Sequence, residues 1–260
     1  MTILLAISGL TEDESGNRGS ASAGKDAVAD IIVRNYKSVR VGLADPMKRF
    51  CKEIYKFTDE QLWGPSEARN APDKRYPREH TFKVPSGNTG THPRLVCACC
   101  GHLKDLSEPN QCYLTPRHAL QILGTEWGRD NYEFTWVLPL LETMRLLTLG
   151  DRFYSKASGV SLCHASHEGM YPAPKFVVVS DIRFPATTIH LKEKGALNIR
   201  VKRKISTLDV GSQHRSETAL LDTPDSAFDH IIENYGSLED LEKTLGTLID
   251  GTHIKGIGRS

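Results

Sequence analysis

The distribution of apolar positions along the chain predicts alternating strands and helices. Residues Ile3–Ile7 and Phe176–Val179 are unbroken apolar runs, which are typical of strands buried on both faces of a parallel sheet. A helical pattern covers Lys25–Asn35, and a short strand is predicted at Val39–Leu43. This succession of strand, loop, helix and strand favours an α/β fold with a parallel central sheet flanked by helices.

Capping residues mark the starts of two further predicted helices. Asp45-Pro46 places an aspartate at a helix cap and a proline in the first turn, and Thr115-Pro116 repeats the arrangement. Leu120, Leu123 and Trp127 would form the apolar face of the second of these helices. The remaining predicted elements are helices at Thr135–Leu149 and Ser237–Ile249 and strands at Ala196–Lys202 and Phe228–Ile232.

The regular pattern fails between Thr58 and Cys112. Proline and glycine pairs interrupt a polar stretch that has little apolar periodicity. An irregular segment of this length is uncommon inside a compact core. We therefore predict a single domain over residues 1–260, with an irregular inserted subdomain over residues 58–114 that forms a lid or lies on the substrate side.

Composition limits the classes of partner. The chain has 33 basic and 32 acidic residues, so no basic surface for nucleic acid is expected. The apolar run at the N-terminus lacks a basic leader and is too short for a signal-peptide core or a membrane span. We expect a soluble, cytoplasmic protein without a membrane partner. Its oligomeric state stays open, with a homodimer as one candidate.

Residues Gly19–Asp26 fit the phosphate-binding pattern G-x-x-x-x-G-K. Small residues let backbone N–H groups approach an anion, and the following helix adds the positive end of its dipole. Lys25 adds a charge for the β- and γ-phosphates of ATP, and Asp26 replaces the usual hydroxyl residue as an oxygen ligand for Mg²⁺. The alternative is a flexible loop with a chance Lys-Asp pair. The residues predicted to bind ATP are Gly19, Ala23, Gly24, Lys25, Asp26 and Ala27.

The position of this loop leaves one question open. The first predicted strand ends at Gly9, about ten residues before Gly19. Either glycine could begin the phosphate loop, with the extra residues projecting outward if Gly9 does. The sequence alone favours neither.

The helix after Pro116 carries a candidate face for the phosphate acceptor. Arg117, Gln121 and Thr125 follow at i, i+4 and i+8 and would share one side of an α-helix. Gly124 costs roughly 1 kcal/mol relative to alanine in a helix interior, which is best explained if something approaches the backbone closely. Arginine suits a phosphate, and glutamine suits a base or sugar edge. An ordinary solvated face is the alternative.

Asp181-Ile182-Arg183 follows the second apolar run. Ligands of open α/β sheets bind beyond the carboxyl ends of the strands, so both charged side chains are expected at the site. Asp181 would support the Mg²⁺ shell, and Arg183 would bind the transferred or acceptor phosphate. The alternative is an Asp–Arg pair that only ends a strand. Arg203 and Arg215 are further candidates for arginines on a lid, although a surface charge run would explain them equally well.

Four of the six cysteines fall within 16 positions. The knuckle-like sequence Cys97-Ala98-Cys99-Cys100-Gly101-His102, together with Cys112, offers thiolate and imidazole ligands of the kind that structural zinc prefers. The predicted set is Cys97, Cys100, His102 and Cys112, and Cys163 or His167 is an alternative to the last. Free thiols in a reducing compartment are the rival interpretation.

The ordered set of motifs resembles the deoxynucleoside monophosphate kinases of tailed bacteriophages. The matching segments are Gly24-Lys25-Asp26, Leu43–Arg49, Gln61–Gly64, Thr115–Arg117, Leu120–Glu126, Val179–Phe184 and His214–Glu217. The resemblance implies an adenylate-kinase-like P-loop fold, location in a host cytoplasm, and transfer of the γ-phosphate of ATP to a deoxynucleoside monophosphate.

The same resemblance assigns roles to individual residues. It places Arg117, Gln121, Gly124, Thr125 and Trp136 at the acceptor, and it makes Lys25, Arg117, Asp181 and Arg183 the catalytic set. The chain departs from the family pattern at two positions. Thr187 stands where the family has a glutamate, and Ala27 stands where a hydroxyl residue is common.

Two alternative functions remain. A P-loop kinase for another small acceptor, such as a coenzyme precursor or a sugar, would share the phosphate loop. A nucleotide-binding switch would share it without transferring phosphate. The cations predicted opposite the loop argue against a sugar kinase, and the predicted Arg117 face argues against a switch.

Overall fold

A computed structural model describes residues 2–20, 22–80, 82–83, 95–97, 111–163, 171–206 and 218–250. The strands are β1 (Ile3–Asp13), β2 (Arg18–Gly19), β3 (Ser38–Arg40), β4 (Pro77–Arg78), β5 (Phe82–Lys83), β6 (Val96–Cys97), β7 (Cys112–Tyr113), β8 (Arg152–Ser155), β9 (Gly159–Leu162), β10 (Phe176–Val179), β11 (Leu197–Ile205) and β12 (His230–Glu233). The α-helices are α1 (Lys25–Asn35), α2 (Asp45–Tyr55), α3 (Asp59–Trp63), α4 (Ser66–Asn70), α5 (Pro116–Gln121), α6 (Val137–Thr148), α7 (Pro185–Glu193) and α8 (Leu238–Asp250). A π-helix covers Ile122–Arg129, and a 3₁₀ helix covers Asp225–Ala227.

The central sheet is mostly parallel. Its strands follow the order β12-β11-β1-β10-β3, and each neighbouring pair is parallel. In the register of the middle strands, Leu5 lies opposite Val178 on one side and Leu197 on the other. Among the strands that the structure describes in this sheet, β2 alone runs antiparallel, as the returning arm of a hairpin on β1. The predicted α/β class with a parallel sheet flanked by helices is confirmed, and it is consistent with a P-loop kinase fold.

The main hydrophobic core lies between this sheet and two helices. Strand residues such as Ile7 and Val178 pack with Ile32 of α1 and Leu245 of α8, and all four side chains are buried. Burial of one such aliphatic side chain stabilises the folded state by about 2 kcal/mol. The apolar periodicity of α1 and α8 therefore fixes both helices on the sheet.

The chain divides into two compact units. The sheet unit comprises Met1–Leu43 and Val137–Ser260, and the helical unit comprises Ala44–Trp136. Within the helical unit, a smaller cluster of Cys51, Phe57, Leu62 and Ala119 is buried among α2, α3 and α5. The inserted subdomain predicted over residues 58–114 falls within the helical unit and stays a prediction.

Several predicted boundaries agree with the structure. Helix α1 and strand β10 have the predicted bounds, and Thr115 caps α5 by accepting a hydrogen bond from the backbone N–H of His118 at 3.1 Å. Strand β1 extends beyond the apolar run to Asp13, because the polar residues that follow continue its pairing with β11.

Other predictions are corrected. Asp45 does not cap α2: Ala44 holds that position, and the buried Asp45 carboxylate instead accepts a hydrogen bond from Trp63 Nε1 at 2.8 Å. Trp127 is 59% exposed, so it does not extend the apolar face of Leu120 and Leu123. The segment predicted to be irregular contains α3 and α4, and α3 begins with a capping box between Thr58 and Gln61.

The β8–β9 hairpin and α7 were not predicted from the sequence. No helix within the described part of the chain combines the length and the apolar character needed to cross a membrane.

Candidate functional site

A hairpin formed by the end of β1 and by β2 precedes the predicted phosphate loop. β1 continues past Gly9 to Asp13, turns, and returns as β2, which pairs Gly19 with Thr11 and Arg18 with Glu12. The Asp13 carboxylate stabilises the turn by accepting hydrogen bonds from the backbone N–H groups of Ser15 at 3.0 Å and Asn17 at 2.8 Å. The residues that separate Gly9 from Gly19 therefore form a hairpin.

Gly9 is the glycine on which the loop rests. A Cβ at this position would lie 2.8 Å from the Ala23 Cβ and 3.0 Å from the backbone oxygen of Ser20. Neither neighbour is the end of a flexible side chain, so a larger residue would push the loop away from the strand. Gly19 instead belongs to β2. This packing, in which the loop returns to Gly9 after the hairpin, favours Gly9 over Gly19 as the start of the loop, and phosphate binding by the loop stays a prediction.

The end of the loop is held by a residue that the sequence analysis missed. Gly24 has φ 97°, a left-handed conformation that favours glycine, and its carbonyl accepts the N–H of Val28 at 3.0 Å to begin α1. Asn234 Nδ2 donates to the Ala23 carbonyl at 3.0 Å and would lie 2.3 Å from a Cβ on Gly24. Asn234 directly follows β12, so the rule that sites form at the carboxyl ends of parallel strands would have identified it.

Two charged side chains follow Gly24 at the start of α1. Lys25 Nζ lies 3.5 Å from the Asp26 carboxylate, which also pairs with the Arg40 guanidinium and accepts a hydrogen bond from Ser180 Oγ at 3.1 Å. Arg40 bonds Asp30 at 2.8 Å as well, and its Nη2 donates to Ser180 Oγ at 2.6 Å. Arg40 and Ser180 were not predicted, because only the β3–β10 pairing places them beside α1.

This cluster determines the ionisation of Asp26. Partial burial raises the pKa of Asp26, but the charges of Lys25 and Arg40 and the hydrogen bonds from Ser180 and Arg40 lower it, with a net decrease. The ionised side chain is 60% exposed, which leaves carboxylate surface for a cation. Ala27 packs against the hydrophobic core instead.

Asp181 and Arg183 follow β10 as predicted. Asp181 Oδ1 accepts a hydrogen bond from the backbone N–H of Leu43 at 3.0 Å and so joins the end of β10 to the segment after β3. Arg183 is half-buried in the short connection to α7. Thr187, at the position where the family has a glutamate, is buried within α7. The sheet unit therefore holds Lys25, Asp26, Asp181 and Arg183 of the predicted site.

The predicted acceptor residues lie in the helical unit, where the helix changes type. Arg117 and Gln121 are half-buried on α5, whereas Thr125 is buried in the π-helix Ile122–Arg129. The prediction of one continuous α-helix is wrong from Ile122 onward. Since a π-helix turns less per residue than an α-helix, the i+8 relation of Thr125 to Arg117 follows a different geometry.

Gly124 and Gly128 admit two large side chains to the π-helix. A Cβ on Gly124 would lie 2.9 Å from Met47 Sδ, and a Cβ on Gly128 would lie 2.3 Å from Trp136 Nε1. Trp136 Nε1 donates to the Gly124 carbonyl at 2.9 Å. The close approach predicted at Gly124 is therefore made by Met47, and Trp136 lies against the same helix.

The cysteines of the predicted zinc site are partly within the described residues. Cys97 and Cys112 lie together, and His80, which the sequence analysis missed, lies beside them. Cys100, His102 and His167 lie outside the described residues, as do Arg215 and Ala21 of the phosphate loop.

Comparison with known proteins finds a distant similarity. No protein-family model matches the chain. The chain is 24% identical over 235 residues to a protein of Acanthamoeba polyphaga mimivirus described as "Putative deoxynucleotide monophosphate kinase". The aligned region covers 90% of this chain and 95% of the mimivirus protein. The alignment spans both the sheet unit and the helical unit. This distant similarity supports a kinase family.

Proposed function

We propose that this protein is a nucleotide kinase that transfers the γ-phosphate of ATP to a deoxynucleoside monophosphate. An oxygen of the acceptor phosphate would attack the γ-phosphorus as the bond to the β–γ bridging oxygen breaks. The products would be ADP and the deoxynucleoside diphosphate. The similarity to the mimivirus protein, together with the ordered motifs of the family that the sequence resembles, supports this choice of reaction.

The observation that carries the proposal is the loop between Gly9 and α1. Three features of this loop suit phosphate binding. The loop packs on Gly9, Gly24 adopts a left-handed conformation, and the Lys25 side chain lies at the start of α1. Backbone N–H groups and the dipole of α1 would bind the phosphates, and Lys25 would neutralise charge on the β- and γ-phosphates. Asn234 would keep the loop in this conformation through its bond to Ala23.

The carboxylates nearby fit a magnesium ion. Mg²⁺, when bound, would neutralise charge on the β- and γ-phosphates. Asp26 is ionised and exposed enough to act as a ligand, directly or through water. Asp181 would act in the surrounding shell from the end of β10, where its Oδ1 accepts a hydrogen bond from the Leu43 N–H.

Arginines would align the two phosphate groups. The acceptor phosphate is already anionic and needs no general base, so catalysis rests on alignment and on neutralisation of the transferring group. We assign Arg183 to the transferred phosphate and Arg117 to the acceptor phosphate, because arginine binds phosphate oxygens in a bidentate manner. Gln121, Gly124, Thr125 and Trp136 complete the proposed acceptor residues. Long π-helices are rare and often mark functional positions, which favours a binding role for this region.

The test is an assay of each monophosphate with ATP and Mg²⁺. The four deoxynucleoside monophosphates and their ribose counterparts would be incubated separately, and the diphosphate products would be separated by chromatography. A Lys25→Ala protein purified in parallel controls for contaminating host kinases. We expect at least one deoxynucleotide to be converted by the wild type and none by the variant.

Other outcomes would select an alternative function. If the wild type binds ATP but converts no monophosphate, a nucleotide-binding switch replaces the proposal. If only a coenzyme precursor or a sugar is phosphorylated, the phosphate loop is correctly interpreted and the acceptor is wrong.

A further inference from the structure

Three potential metal ligands converge in the helical unit, among its described short strands β4 to β7. β4 pairs with β7 so that Arg78 lies opposite Cys112, and β5 pairs with β6 so that Phe82 lies opposite Cys97. His80 lies between β4 and β5 in the chain, two residues from each of those paired positions. The topology thus brings one histidine and two cysteines together from three distant parts of the sequence.

The separations match those of a tetrahedral thiolate site. One ligand atom from each of His80, Cys97 and Cys112 lies within 4.8 Å of the others, and the two sulfur atoms are 3.8 Å apart. Two thiolates at about 2.3 Å from a zinc ion with a tetrahedral angle between them would be about 3.8 Å apart. A disulfide would require a sulfur separation of about 2.05 Å.

Burial indicates a structural role for such a site. Cys97 and Cys112 are each only 2% exposed, and His80 is half-buried. A catalytic metal site must keep one position open to substrate, whereas buried thiolates are typical of structural zinc. The three residues also lie far along the chain from Lys25 and the loop before it.

The local structure would gain from a cross-link. Each of the two strand pairs is only two residues long, and short isolated ladders are marginal in water. The buried cluster of the helical unit lies among α2, α3 and α5, and the ligand residues do not belong to it. A metal that joins β6, β7 and the β4–β5 connection would hold both ladders in place.

We propose that His80, Cys97 and Cys112 bind a structural zinc ion. Thiolate sulfur and imidazole nitrogen together favour Zn²⁺ over the hard cation Mg²⁺, which prefers oxygen ligands. These three residues supply three of the four positions of a tetrahedral site. This revises the ligand set predicted from sequence by adding His80.

Metal analysis of the full chain, purified without a chelator or a polyhistidine tag, tests the site. We expect about one zinc per chain in the wild type, and loss of most of it in Cys97→Ser and Cys112→Ser. Cys51→Ala is the matched control, because Cys51 is a fully buried thiol of the same unit that lies in the hydrophobic cluster. It should keep the zinc of the wild type.

Cobalt substitution of the wild type provides a readout that does not depend on the folding of any variant. Co²⁺ in a tetrahedral site with two thiolates should give strong visible bands and a thiolate charge-transfer band. Less than about 0.2 zinc per chain, with Cys97 and Cys112 reacting freely in the native protein, would overturn the site. Full zinc retention in His80→Ala would remove His80 and return the ligand set to that predicted from the sequence.

Discussion

The interior of the sheet unit and the interior of the helical unit are stabilised by different kinds of interaction. In the sheet unit, a continuous aliphatic core joins the middle strands to α1 and α8. The buried cluster of the helical unit is small, and specific polar contacts accompany it, such as the bond from Trp63 to Asp45 and that from Gln61 to Asp73. Non-directional burial tolerates many sequences, whereas each polar contact requires a particular partner.

The difference extends to the proposed functions. The sheet unit contains the proposed phosphate loop, which is built from backbone geometry, and the helical unit contains a half-buried arginine and a π-helix. We therefore expect most substitutions of single polar side chains in the sheet unit to have little effect, except those at its loop. The helical unit should be sensitive to acid, to chelation and to the loss of single polar groups.

Loss of the Lys25 side chain should have the largest effect. Lys25→Ala removes the charge next to the phosphate loop, and we expect turnover to fall about 10³-fold or more. The thermal transition should hardly move, since this lysine is not part of the core. Lys37→Ala, which removes an exposed lysine of the same unit, is the control. Near-normal turnover in Lys25→Ala would show that this loop does not bind the transferred phosphate.

The two proposed phosphate-binding arginines compare the units directly. Arg183→Ala in the sheet unit and Arg117→Ala in the helical unit should each lower kcat/KM about 10²-fold. Saturation with the monophosphate should rescue Arg117→Ala more than Arg183→Ala if Arg117 binds only the acceptor. Arg145→Ala is the control, because Arg145 forms an exposed ion pair with Glu142. Normal kinetics in Arg117→Ala would assign the acceptor to other residues.

The same difference explains which features could be predicted from the sequence. Apolar runs such as Phe176–Val179 identify buried strands wherever they occur, and Thr115 identifies a helix start through local chemistry. Arg40 has no such local pattern, because its bond to Asp26 depends on the register of β3 with β10. His80 is separated from both cysteines along the chain and meets them only through strand pairing.

The helix type at the proposed acceptor site was also beyond sequence reasoning. Apolar and polar spacing cannot distinguish an α-helix from a π-helix over eight residues. Gly124 correctly indicated a close approach, but the sequence could not show that Met47 makes it. Lys25 and Asp26 could be placed at the start of α1 because their positions follow from a local pattern after a buried strand, and their role in phosphate binding stays a prediction.

Gly9→Ala should test the packing of the phosphate loop on β1. The added methyl group would meet Ala23 and the Ser20 carbonyl, so the loop must move by several tenths of an ångström. We expect kcat/KM to fall about tenfold, mainly through weaker ATP binding. Gly246→Ala on α8 is the matched control, since its methyl group meets no atom within 4 Å and should instead stabilise the helix by about 1 kcal/mol. Unchanged ATP affinity in Gly9→Ala would contradict the contact.

Acid should weaken the helical unit through Asp73. This buried carboxylate accepts hydrogen bonds from Arg75 at 2.6 and 2.9 Å and from Gln61 at 3.0 Å. The bond from Arg75 is the largest influence and holds the pKa of Asp73 well below its usual range, although burial opposes it. The folded state then binds fewer protons than the unfolded state. The stabilisation is present at pH values above the pKa that Asp73 has in the unfolded state. It is lost as the pH falls toward the pKa that Asp73 has in the folded state.

Tryptophan fluorescence can follow this loss, because all three tryptophans, Trp63, Trp127 and Trp136, lie in the helical unit. Asp73→Asn should lower the fluorescence melting temperature by about 5 °C at pH 7, and the difference from the wild type should shrink toward pH 3. Glu53→Gln, which alters an exposed ion pair with Lys56, should change little at either pH. A constant difference across this pH range would remove Asp73 as the titrating group.

Matched removal of two helix caps should give the smallest effects and the finest comparison. Thr58 Oγ1 accepts the N–H of Gln61 at 3.2 Å in the helical unit, and Ser237 Oγ accepts the N–H of Asp240 at 3.1 Å in the sheet unit. Thr58→Ala and Ser237→Ala should each destabilise their helix by about 1 kcal/mol, because one backbone donor loses its partner.

Hydrogen exchange read by mass spectrometry would locate the loss of stability in each variant. We expect faster exchange over α3 in the first variant and over α8 in the second. The loss in Thr58→Ala should spread further, because Gln61 also bonds Asp73 and so links α3 to the next polar contact. The loss in Ser237→Ala should stay within the first turn of α8, since buried Leu241 and Leu245 keep the rest of that helix on the sheet. Equal spread in the two variants would mean that polar contacts and aliphatic burial confer the same local cooperativity on the two units.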